Sequence, residues 1–172
     1  MRTPPIASMI RYGNAAIFIL VAVLLLIVPG VLAVRDASDP RLGRGEIPRC
    51  AWRWHRALTP RYERWARVRI ASGKAAGMKT SDISGTEWPL FGSVFYLWAT
   101  ESLQGAWAGD PSLAPEAPAE YASGAIDAAA QLVTDSNHAA WVKQHWAGRD
   151  YLRTENVFYR MLLISAATSH AR

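Results

Sequence analysis

Cysteine is nearly absent: Cys50 is alone in 172 residues, which excludes an intrachain disulfide framework and any four-cysteine zinc site. Histidine is scarce as well. The four, His55, His138, His145 and His170, form no HxxxH or HExxH pair, so the sequence offers no zinc-enzyme motif and points to no metal or other cofactor. There is no glycine-rich phosphate loop, no GxSxG elbow, no coiled-coil heptad and little strand signal. Charge is also sparse, at 19% of residues against 51% hydrophobic, which excludes an intrinsically disordered chain. Only one long uncharged apolar run exists, which excludes a polytopic membrane protein.

That run, Ala15–Val34 (AAIFILVAVLLLIVPGVLAV), reaches about 30 Å as a helix, the thickness of a bilayer's hydrocarbon core. Three readings of it stand. It is an uncleaved single-pass anchor, a signal segment in which Pro29-Gly30 breaks the helix and cleavage follows Ala33, or a buried core helix. The charge that follows is uneven. Residues 35–79 carry 12 Lys and Arg against four acids, net +8, whereas residues 80–172 carry five basic and ten acidic residues, net −5. Trp52, Trp54, Tyr62 and Trp65 interleave with the arginines. A basic neck with aromatics directly after an apolar run reads as juxtamembrane, beside anionic headgroups, in preference to a nucleic-acid surface. Counting Arg35, Arg41, Arg44 and Arg49 tilts the globular part towards the cytoplasm, while the signal-like order of the amino terminus points it outward. The outward, periplasmic placement is the one adopted.

The chain divides into an anchor or signal segment (1–34), a basic linker (35–57) and an all-α domain (58–172). Breakers between Asp36 and Pro48 mark the linker. Thr59-Pro60 reads as the start of a helix that ends near Gly73 or Gly77. Thr86 is expected to cap a second helix, apolar nearly all round as far as Thr100, a pattern that predicts burial on several faces and places Trp98 in the core. Ala119–Val133 reads as one alanine-rich helix with a stripe of Tyr121, Ala125, Ala128, Ala129 and Leu132. Ser136 is expected to cap a short helix carrying Trp141 and Trp146, and Thr154 a last apolar helix that buries Leu163. The histidines read as surface or interface residues, and Cys50 as an inert thiol.

Alternation of all-apolar with half-polar helices suggests hairpins around an axis, with the first turns of the inner helices facing a funnel. Two stretches carry a family resemblance: TEWPLFGSVFYLWATESLQ (Thr86–Gln104) and RTENVFYRMLLISAATSH (Arg153–His170). They resemble inner-helix starts of bacterial (α/α)6-barrel proteins of the linalool dehydratase/isomerase-like type. The resemblance implies helical hairpins of a partial (α/α)6 toroid, here an amino-terminal fragment or truncated relative. It further implies Glu87 and Glu155 as funnel-mouth acid and base, with Trp88, Phe91, Asn156 and Tyr159 around a small-molecule or glycan ligand. Leu162 stands where the characterised enzyme has a functional histidine, and Cys50 matches none of its catalytic cysteines. The functional expectation is a lyase, hydratase or glycan-active enzyme. The other reading is a non-catalytic, membrane-anchored helical binding or scaffold module.

Overall fold

The computed structural model describes residues 6–79, 81–140 and 157–171. These are helical and contain no strand. They fall into two compact units, Met1–Cys50 and Ala51–Arg172.

The first unit is built on one apolar rod: α1 (Ile6–Ala22), a π turn (Val23–Ile27) and α2 (Val28–Ala37). Pro29-Gly30 does not break it, contrary to the signal-segment expectation. Proline at the start of α2 cannot donate to the carbonyl one turn earlier, and the preceding turn widens instead, with the Val28 N–H bonding the Val23 carbonyl. The apolar side chains of the rod are exposed along its length, and Ile10–Arg44 is long and apolar enough to cross a membrane. Beyond it, the Asp39 carboxylate accepts the backbone N–H groups of Arg41 (3.0 Å) and Arg49 (2.8 Å). Those two bonds hold it below the usual carboxylate range.

The second unit packs α3 (Arg49–Ser72, all but its first two residues), α4 (Ile83–Gly109), α5 (Pro118–Tyr121), α6 (Ser123–Thr134) and α7 (Val157–Ala171). Residues 49–57, expected as linker, are helix. Thr59-Pro60 is not a helix start but lies mid-helix. Pro60 is exposed, so the backbone defect it makes faces water, while the Thr59 hydroxyl is buried and donates to the His55 carbonyl at 2.8 Å. The end was legible: Gly73 follows Ser72 at φ +60°, a left-handed cap that suits glycine. The N-cap of α4 is Asp82, not Thr86; the Asp82 carboxylate accepts Gly85 N–H at 3.0 Å, and the Thr86 hydroxyl donates back to the Asp82 carbonyl.

The core joins Leu90, Val94 and Leu97 of α4 to Ala125, Ala128, Ala129 and Leu132 of α6, and to Tyr159, Leu162 and Ala166 of α7. The alanine stripe is buried as expected, though a break at Ala122 divides the expected single helix into α5 and α6. Small residues there let α6 lie close against α4. Trp98 is a correction. It is 38% exposed, and its neighbour Leu97, at 1%, is the core residue. In the same way Leu162 is buried while Leu163 is half-buried at the core's edge. The expected caps Ser136 and Thr154 serve segments that lie wholly or partly outside the described residues.

Candidate functional site

Four of the six expected site residues lie among the described residues. Glu87 is half-buried in the first turns of α4. Trp88 beside it is 66% exposed, Phe91 is partly buried against the core, and Tyr159 is buried inside it. Glu155 and Asn156 lie outside the described residues, so the carboxylate pair is not brought together or kept apart here. Among the described residues no group of three His, Cys, Asp or Glu is placed to hold a metal.

What sequence reading missed is where the histidines go. His55 and His138 are not surface residues; they are 6% and 3% exposed. His55 sits between α3, α4 and α5. Its Nε2 lies 2.8 Å from Thr100 Oγ1 and its Nδ1 2.7 Å from the Tyr121 hydroxyl. The Thr100 hydroxyl spends its hydrogen on the Tyr96 carbonyl at 2.8 Å, so it accepts from His55. His55 is therefore the Nε2–H tautomer, and Tyr121 donates to Nδ1. The same logic orders the rest. Tyr96 donates to Thr59 (2.8 Å), and Tyr62 donates to Ser93 (2.7 Å), whose hydrogen goes to the Pro89 carbonyl. The rings stack in series: Tyr62 on Tyr96 at 4.4 Å and Tyr96 on His55 at 5.0 Å. Burial pushes the His55 imidazole down to about 4 and the Tyr62 and Tyr121 hydroxyls up to about 12.

His138 closes a second cluster. Arg69 Nε donates to His138 Nε2 at 2.8 Å, which leaves Nδ1–H to bond Asp135 at 2.7 Å. The same guanidinium bonds the Gly85 carbonyl in the first turn of α4. An Asp–His pair is the arrangement of a general base, but here the outward nitrogen already accepts from arginine. Both buried imidazoles have both nitrogens engaged, so in this geometry they are joints between helices and not proton acceptors for a substrate. Among the described residues Trp52 Nε1 alone is a buried side-chain polar atom without a hydrogen-bond partner.

From Trp88 to Ala99 the exposed side chains of α4 are apolar. Trp88, Phe91, Phe95 and Trp98 follow a three–four–three spacing on one face. Phe91 stacks on Phe95, and Phe95 packs against Trp98 at 5.5 Å between ring centres. Trp88, Phe95 and Trp98 are exposed, forming a ridge that ends at an open groove lined by Trp98, Glu101 and Ser102. Such a row of large side chains in water marks an interaction face more often than a monomer surface.

Compared with known proteins, the chain matches no family model, no curated protein and no solved structure. Function therefore rests on the chain's own geometry.

Proposed function

We propose that this is a membrane-tethered α-helical binding module. In this reading Ala15–Val34 spans the bilayer, the basic neck meets its lipid headgroups, and the unit Ala51–Arg172 holds a partner helix along the α4 ridge. The observation that carries it is the ridge itself: aromatic side chains at the spacing of a helix–helix seam, exposed on a helix whose other half is fully packed. The two buried clusters support it too, since their polar groups satisfy one another and leave neither histidine for chemistry. The test is a photo-crosslinking side chain at Phe95 in the full chain in cells. A discrete adduct is expected, and it should vanish when Trp88→Glu is added. No adduct, or one indifferent to Trp88→Glu, would sink this reading.

Topology is part of the proposal, with the second unit outside the cytoplasm. A reporter fused after Arg172 that is active only in the periplasm is expected to be active. Signal only from a cytoplasmic reporter would reverse the orientation without touching the ridge.

The second reading is the enzyme: hairpins of an (α/α)6 toroid whose Glu87 and Glu155 act as acid and base on a terpenoid or glycan. Half-buried Glu87 beside exposed Trp88 favours it, as does an apolar α4 face of the kind that further hairpins would cover. Paired carboxylates in one funnel suit dehydration and glycoside hydrolysis alike. Crosslinking from Phe95 that is intramolecular would speak for it over the binding module.

A further inference from the structure

Helix α3 has three faces. The inner one is the stack of His55, Thr59 and Tyr62 already described. Away from it runs an apolar stripe of Trp54, Leu58, Trp65 and Val68, at i, i+4, i+11 and i+14, all four side chains exposed. Arg61, at i+7, sits within the stripe, Arg64 lies along its edge, and Lys74 lies past the end of the helix. Among the described residues no carboxylate pairs with these three, whereas Arg56 and Arg67 are taken by Glu116 and Glu63. The stripe and the unpaired cations meet in a groove of about 470 Å³, lined by Arg61, Arg64 and Lys74 on its polar side and by Trp65, Val68 and Met78 on its apolar side. Arg69 also borders the groove, but its guanidinium is committed to His138 and Gly85.

We propose that α3 lies in the headgroup layer of an anionic bilayer. Trp54, Leu58, Trp65 and Val68 enter the acyl boundary, and the groove between Arg61, Arg64 and Lys74 seats an anionic phospholipid headgroup. Tryptophan and aliphatic side chains beside a basic arc are what an interfacial helix needs. The apolar stripe contributes burial, and each cation near the anionic surface strengthens binding about fivefold. The occupant follows from charge complementarity and from the covalent path, since α3 opens at Arg49, shortly after the span Ile10–Arg44. A nucleic acid would be served by the arginines but gives no reason for an exposed Leu58 and Val68 between them. The inference rests on the membrane tether proposed above, and its test separates the two.

The full chain, with Cys50→Ala and Leu58→Cys carrying an environment-sensitive fluorophore, is placed in nanodiscs of phosphatidylcholine alone or with phosphatidylglycerol. Emission is expected to be blue-shifted and quenched by brominated acyl chains in the anionic discs, and water-like in the neutral ones. Arg61→Gln with Arg64→Gln should return the anionic-disc emission to the neutral-disc value. In the label-free protein, Trp65→Phe should remove part of the brominated-lipid quenching of tryptophan, a second readout that leaves Cys50 and Leu58 untouched. Co-elution with the discs but water-like emission in both lipids overturns this inference and leaves the tether standing. Failure to co-elute overturns both. Displacement of the probe from anionic discs by a single-stranded oligonucleotide at equal charge assigns the face to nucleic acid and overturns the lipid reading.

Discussion

Leu97→Ala is expected to destabilise the second unit by about 2–5 kcal/mol, and Trp98→Ala, one position along, by far less. Leu97 is 1% exposed and belongs to the cluster that joins α4, α6 and α7. Truncating it removes apolar contacts and leaves a hole that close-packed neighbours only partly fill. Alanines line the opposite side of that cluster and have no rotamer with which to fill the gap. Trp98 instead lies on the ridge, its ring tilted against that of Phe95. Its removal exposes a little of Phe95 and opens no cavity. Urea unfolding of both variants in mild detergent, followed by circular dichroism, checks the contrast. Equal losses for the two would mean that the ridge is packed against something, and that α4 is enclosed on all sides as its composition first suggests.

The class of the fold was legible because helical signals here are strong and strand signals weak. The apolar rod, the alanine stripe of α6 and the end of α3 before Gly73 follow from run length, spacing and a glycine able to take φ +60°. The orientation of α4 was not legible. A helix apolar on every face carries no moment to say which face is inside, so Trp98 and Leu97 are equivalent until the partners are placed. The misread helix starts have another cause. Thr59-Pro60 and Thr86 are good local cap signals, but each hydroxyl is used across a turn or between helices, Thr59 towards Tyr96 and Thr86 back towards Asp82. The histidines were hidden for a long-range reason: His55 meets Thr100 and Tyr121, and His138 meets Arg69, all far away in sequence. Only Asp135, three residues from His138, was a local clue. Of the six expected site residues, the described structure places four, and those four occupy an exposed face, the core and the boundary between them.

Acidification from pH 7 to pH 5 is expected to cost the second unit about 2 kcal/mol through His55 alone. In the unfolded chain this imidazole takes up its proton near 6.5, whereas in the fold burial depresses it to about 4. Its neighbours give no relief. Tyr96 covers one face, Tyr121 donates to Nδ1, and Thr100 accepts from Nε2. An imidazolium would need Nδ1 to donate, which turns the Tyr121 hydroxyl away from its present role. As pH falls below 6.5 the unfolded state therefore binds the proton first. The stability is fully present above 6.5 and is lost progressively down to about 4, at close to 1.4 kcal/mol per pH unit in mid-window. The carboxylates held low by hydrogen bonds, Asp39 and Asp82, titrate below this window and do not confuse it. His55→Gln keeps one donor and one acceptor in the same cleft and cannot charge. It is expected to be less stable than the parent at pH 7, by about 1–3 kcal/mol for imperfectly replaced hydrogen bonds. Its stability should fall by about 2 kcal/mol less between pH 7 and pH 5, so the two proteins converge. Urea midpoints for both at the two pH values decide the matter. Parallel losses would mean that His55 takes up its proton as readily in the fold as in the unfolded chain, and that burial does not depress it.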